Sequence, residues 1–91
     1  MIQSFWHKGL SELWATGKTK HIDKRMWKRI LRRLEALNVA TVPEDMNLPG
    51  FDFHTLNMVP VRYSVHVNGP WCITFEFALG DARRVHYEQY H

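Results

Sequence analysis

The chain changes its apolar period once, and that change dictates a layered fold. Through residue 37 the apolar positions recur at helical spacing: Leu10, Leu13 and Trp14, then Met26, Trp27, Ile30, Leu31, Leu34 and Leu37. Beyond residue 50 they fall in short runs rich in aromatic and β-branched residues, separated by turn signals. Between them lies Val42-Pro43-Glu44-Asp45-Met46-Asn47-Leu48-Pro49-Gly50, whose two prolines, glycine and clustered acids mark a connection from helices to sheet. A helical half with one apolar side, followed by strands joined by short turns, predicts an α+β fold. Two N-terminal helices would pack on one face of a mainly antiparallel sheet of four to five strands.

The first helix is expected to begin at His7 and to end at Gly17, where a left-handed cap is usual. Asp23 is placed to cap the second helix, and Lys24, Lys28, Arg29, Arg32 and Arg33 are expected largely outside its apolar stripe. Residues 2–5 alternate and form a candidate short first strand. The later strands are expected over 51–56, 61–67, 71–77 and 83–90.

Length and composition narrow the class. Ninety-one residues, 45% of them hydrophobic and 13% aromatic, fit one compact domain spanning 1–91, with no room for a separate cofactor domain. The one cysteine, Cys72, excludes an intramolecular disulfide and is in keeping with a reducing compartment. No apolar run approaches the roughly 20 residues of a membrane span, and the first ten residues lack the apolar core of a signal peptide. A cytoplasmic protein without membrane association is expected. Charge is divided unevenly. Residues 1–33 carry nine Lys and Arg against two acids, a net of +7, while the remainder carries three against seven, a net of −4. The basic half is either a solvated helical face or a surface for nucleic-acid phosphates.

Side-chain parity fixes a register. With Tyr63, Val65 and Val67 on the same face as Trp71, Ile73, Phe75 and Phe77, the connection Asn68-Gly69-Pro70 must count as three residues, because a two-residue loop would put the sets on opposite faces. Expected pairs are 65 with 73, 66 with 72, 64 with 74 and 62 with 76, and in the next hairpin 75 with 85, 73 with 87 and 72 with 88. The inner face then meets the helices. The outer face carries three polar rows: His66, Cys72 and Glu88; Ser64, Thr74 and His86; Arg62, Glu76 and Arg84. The first two rows bring together His66, Cys72, His86 and Glu88, ligand types that zinc accepts, but their spacing matches no zinc motif, so no metal or other cofactor is expected.

Several words spread along the chain carry a resemblance. They are Ile2-Gln-Ser-Phe-Trp-His-Lys-Gly-Leu10, Pro43-Glu-Asp-Met-Asn-Leu-Pro-Gly50, His54-Thr-Leu56, Tyr63-Ser-Val-His-Val-Asn-Gly-Pro-Trp-Cys-Ile-Thr-Phe75, Gly80-Asp-Ala82 and Tyr87-Glu-Gln-Tyr-His91. With nearly matching spacing they resemble HigB-type toxins of the RelE/ParE superfamily, the plasmid-maintenance killer proteins. The resemblance implies a microbial toxin that cleaves mRNA in the ribosomal A site, made beside a helix-turn-helix antitoxin of the HigA type. That antitoxin neutralises it, and the toxin reaches operator DNA only within their complex.

Carried over position by position, the resemblance puts His54, Tyr90 and His91 in the catalytic set. Asn57 stands where the family has a lysine, Cys72 where it has an arginine, His66 at a position where arginine is usual though variable, and Gln89 in place of an aspartate. RNA cleavage by side chains alone needs a base for the 2′-hydroxyl, an acid for the departing 5′-oxygen, and cations or N–H donors for the phosphate. His54 and His91 suit the first two roles because imidazole titrates near neutrality. Tyr90 suits stacking on a base or positioning the phosphate. Asn57 and Cys72 supply no charge, so His66, Arg62 and Arg84 are the candidate replacements on the substrate side. Loss of these cations also leaves open a non-catalytic reading: a degenerate toxin that binds its antitoxin and acts as transcriptional co-repressor. A gyrase-inhibiting ParE-like activity is disfavoured by the terminal Tyr-His.

Overall fold

A computed structural model describes residues 1–90. Helix α1 (Lys8–Thr16) and helix α2 (Trp27–Val39) precede four strands, β1 (His54–Leu56), β2 (Arg62–Asn68), β3 (Trp71–Ala78) and β4 (Asp81–Gln89), which form one antiparallel sheet in the order β1-β2-β3-β4. The α+β reading holds.

Both helices start and stop for local reasons. His7 caps α1 by accepting the Leu10 N–H at Nδ1, 3.3 Å away, and Gly17 ends it at φ 81° with its N–H on the Leu13 carbonyl. Gly9 is required by contact, since a Cβ there would lie 2.9 Å from the Ile22 side chain and 2.9 Å from the His7 ring. Asp23 does act as a cap, accepting the Arg25 N–H at the start of a short 3₁₀ turn that runs into α2. The Arg25 guanidinium beside it holds the Asp23 carboxyl at about 2.

One basic residue departs from the expected pattern. Arg33 is not on the solvent side of α2: with Ile30, Leu34 and Leu37 it forms the buried stripe. Its guanidinium donates to the carbonyls of His66, Arg29 and Gly50.

The core lies between the helices and the inner sheet face and includes Leu10, Leu13, Ile30, Leu34, Leu37, Met46, Phe51, Val65, Val67, Ile73, Phe75, Ala82 and Val85. The connection over 42–50 is more than a linker, because a 3₁₀ turn at Pro43–Met46 drives the Met46 side chain fully into that core. The expected strand over 51–56 shortens to β1. Gly50 and Asp52 adopt φ values of 83° and 46°, turning the Phe51 side chain inward and interrupting regular pairing, although its carbonyl still accepts the His66 N–H.

Register follows parity, with two irregularities. His66 faces Cys72, Val65 faces Ile73 and Ser64 faces Thr74, as expected. The connection of three is realised as a slip at Val67 followed by the Asn68–Trp71 pair, which keeps both alternating sets on the inner face. In the next hairpin Ile73–Tyr87 and Cys72–Glu88 pair as expected, but the register slips after Thr74, so Glu76 faces Arg83 rather than Arg84. Strict alternation would have put Arg83 inside with Val85. A bulge at Arg84, at φ 50°, leaves both arginines exposed while Ala82 and Val85 face the core. The segment over 2–5 runs parallel to β4 as single bridges, Ile2 to Ala82 and Phe5 to Val85, and Ser4 Oγ accepts the N–H of the bulged Arg84.

Candidate active-site cleft

The outer sheet face divides into two ends, and only one is open. At the open end a cleft of about 490 Å³ is lined by Asp52, His54, Thr55, Leu56, Ser64, His66, Gly69, Cys72 and Tyr90. Strand pairing builds it. His54 lies opposite Ser64, His66 opposite Cys72, and the Tyr90 N–H donates to the Pro70 carbonyl, which ties the end of the chain to the β2–β3 turn.

Within the cleft His54 has a defined ring state. Its Nδ1 lies 2.8 Å from the Asp52 carbonyl oxygen, a partner that can only accept, so Nδ1 carries the proton and the neutral ring keeps its lone pair on Nε2. The side chain is 61% exposed, open to a substrate. His66 bonds through Nε2 to the Gly69 carbonyl at 2.9 Å, which anchors the ring to the turn. Burial first, then the charges of Asp52 and Glu88, push the Cys72 thiol up, so it stays protonated at neutral pH and is a poor nucleophile.

The other end is sealed. Arg62 is 4% exposed and donates to Glu76 Oε2 at 3.1 Å, to Thr74 Oγ1 at 3.0 Å and to the Arg84 carbonyl at 2.9 Å, with the Trp6 ring 4.6 Å above its Cζ. Thr74 in turn donates to Glu88. Arg84 is paired with Glu76 at 3.1 Å, so the row of Arg62, Glu76 and Arg84 survives as side-chain contacts although its strand pairing slipped.

Of the residues expected at the site, the structure therefore brings together His54, His66, Cys72 and Tyr90. Arg62 and Arg84 do not line this cleft: Arg62 is buried with its guanidinium bonded to Glu76, Thr74 and the Arg84 carbonyl, and the exposed Arg84 is paired with Glu76. Asn57 is exposed just beyond β1 and is not among the lining residues either. His91 lies outside the described residues. Among the described residues no group of three or more His, Cys, Asp and Glu side chains is placed to hold a metal ion. His86 packs instead against His7 and Trp6, at ring separations of 5.8 and 6.2 Å.

Sequence reasoning missed Asp52 and Arg33. No motif points to Asp52, which acts through its backbone carbonyl. Arg33 carried a signal, because position 33 shares the helical face of 30, 34 and 37.

A two-helix layer over a four-stranded antiparallel sheet, with an imidazole-bearing cleft on the sheet's outer side, is the architecture of a small RelE-like protein. Residues 3–91 match the family of RelE-like HigB toxins of type II toxin–antitoxin systems, and the chain belongs to that family. It is also 39% identical over 92 residues, covering the whole of both chains, to the Endoribonuclease HigB of Proteus vulgaris. As a toxin of a type II system, it has an antitoxin as its partner. Among the described residues no helix is long and apolar enough to cross a membrane.

Proposed function

We propose that this toxin is an endoribonuclease that cuts mRNA held in the ribosomal A site, in the cytoplasm, and that a HigA-like helix-turn-helix antitoxin neutralises it and carries it to operator DNA. The observation that supports this best is the state of His54: a fixed Nδ1–H leaves Nε2 as a base in an open cleft beside His66 and Tyr90. In this reading His54 Nε2 takes the proton of the 2′-hydroxyl, whose oxygen attacks the adjacent phosphorus, and His91 protonates the departing 5′-oxygen. Tyr90 positions the nucleotide. His66, when protonated, is the cleft's cation for the phosphate, while Cys72 and Asn57 contribute surface without charge. One missing transition-state donor costs about 10² to 10³ in rate, so the enzyme is slow unless the ribosome supplies further phosphate contacts.

Primer-extension mapping of a reporter mRNA in a translation extract tests this. Cuts are expected that require initiation and disappear in His54→Ala and His91→Ala. Cutting of naked RNA at the same rate would remove the ribosome from the scheme. A second reading, an antitoxin-binding co-repressor without catalysis, draws on the sealed Arg62 and the neutral Cys72. It predicts no cuts, with operator affinity of the antitoxin changing on titration with this protein.

A further inference from the structure

We infer that Arg33 is a positioning residue, which sets the tautomer of His54 through the loop over 50–52. The inference rests on the reading of His54 as the base. Arg33 is 7% exposed, and its partners are backbone carbonyls and a ring rather than a carboxylate: His66 O at 2.6 Å, Arg29 O at 3.0 Å, Gly50 O at 3.3 Å, and the face of Phe51 at 4.6 Å. A buried cation that stitches carbonyls from a helix, a loop and a strand is an expensive way to hold a fold. One of those carbonyls belongs to His66, which lines the cleft, and another to Gly50, two residues before the lining residue Asp52.

The connection to His54 runs through three residues. Arg33 of α2 holds Gly50 by its carbonyl, and the His66 N–H of β2 holds Phe51 by its carbonyl at 2.6 Å, so the loop is pinned to the helix at one position and to the sheet at the next. Asp52 follows at φ 46°, in the left-handed region that aspartate enters more readily than most side-chain-bearing residues. That conformation aims the Asp52 carbonyl at His54 Nδ1. Asp52 presents its carbonyl and, at 3.8 Å, its carboxylate Oδ1 to Nδ1; releasing Gly50 lets that residue turn away and leaves the imidazole free to place its proton on Nε2, the atom that must be bare to act as a base. Lysine retains the charge at position 33 but offers one ammonium, which cannot span three divergent carbonyls.

Long-range proton–nitrogen NMR on histidine-labelled protein, well above the imidazole titration range, reads the tautomer directly and requires no RNA cleavage. The native protein is expected to show His54 protonated at Nδ1, Arg33→Met to show mainly the Nε2–H form, and Arg33→Lys a mixture, with the other histidines unmoved. Cutting in the translation extract should fall about 10-fold in kcat for Arg33→Lys with KM unchanged, the signature of misplacement rather than lost binding. A folded Arg33→Lys or Arg33→Met protein with the native His54 tautomer would overturn the inference. Failure of both variants to fold would overturn it too, by assigning Arg33 to stability alone. A tautomer that shifts in a protein whose native form never cuts RNA would uphold Arg33 and sink the nuclease reading instead.

Discussion

The two ends of the outer sheet face share strands β2 and β3, with β1 added at one end and β4 at the other, yet one end satisfies itself and the other does not. At the sealed end Arg62, Glu76, Thr74, Glu88 and Arg84 form a continuous set of bonds, with Trp6 covering Arg62 and with Arg84 on the exposed edge. At the open end His54 and His66 each bond a backbone carbonyl through one ring nitrogen, and Cys72 and Tyr90 complete an open cleft. A polar strand face is thus not itself a site. What separates structure from function is whether its side chains have already spent their hydrogen-bonding capacity on one another.

The sharpest test substitutes one residue at each end. His54→Ala removes a proposed base from an exposed position, so cutting is expected to fall about 10² to 10⁴-fold while thermal stability stays close to native. Arg62→Ala should do the reverse. It removes three hydrogen bonds and the buried cation beside Glu76, which keeps Arg84 as its remaining partner, so stability is expected to fall by about 1 to 3 kcal/mol. Chemical denaturation would register that loss, and cutting should persist at temperatures where the variant is folded. An Arg62→Ala protein of native stability that no longer cuts would erase the distinction between the ends.

Much of this division was legible in the sequence. Parity placed His66 against Cys72 and Glu88, and Ser64 against Thr74 and His86, because a two-residue period leaves few registers open. The slip at Arg84 was not legible: it arises from a conflict between strict alternation and the burial of both Ala82 and Val85, with Ser4 of a distant segment receiving the displaced N–H. The fate of Arg62 was hidden for a related reason. Nothing near position 62 in the chain announces that Trp6 covers it. Asp52 contributes a carbonyl, a group every residue has, so only the backbone conformation reveals its part at the site.

Cys72→Arg sharpens the comparison from the other direction by restoring a cation to the open end alone. With Glu88 and Asp52 near enough to raise the thiol, a guanidinium there meets favourable charge and faces the cleft. Cutting is expected to rise about 10²-fold, the usual worth of one phosphate donor, with little change in stability. An unchanged rate in primer extension would mean that the ribosome or His66 already supplies that charge.

The smallest effect belongs to the rim beyond both ends, where the N-terminal segment turns into α1. Burial first, then His86 and His21, lowers the His7 imidazole from its ordinary 6.5. The neutral ring is also the one that can accept the Leu10 N–H at Nδ1. His86 faces it with a buried Nδ1 that has no partner, and His21 lies 3.8 Å from Glu12, so no carboxylate directly offsets a proton placed on His7. Because the folded protein binds that proton less readily than the unfolded chain, the contribution of His7 is complete above about pH 6.5. It is lost progressively as pH falls below that value toward the lowered folded pKa. Thermal melts should therefore drop modestly from pH 8 to pH 5. Asparagine caps helices well without titrating, so His7→Asn should flatten part of that slope while holding the pH 8 melting temperature near native. An equal slope in both proteins would show that the acid sensitivity originates at another histidine.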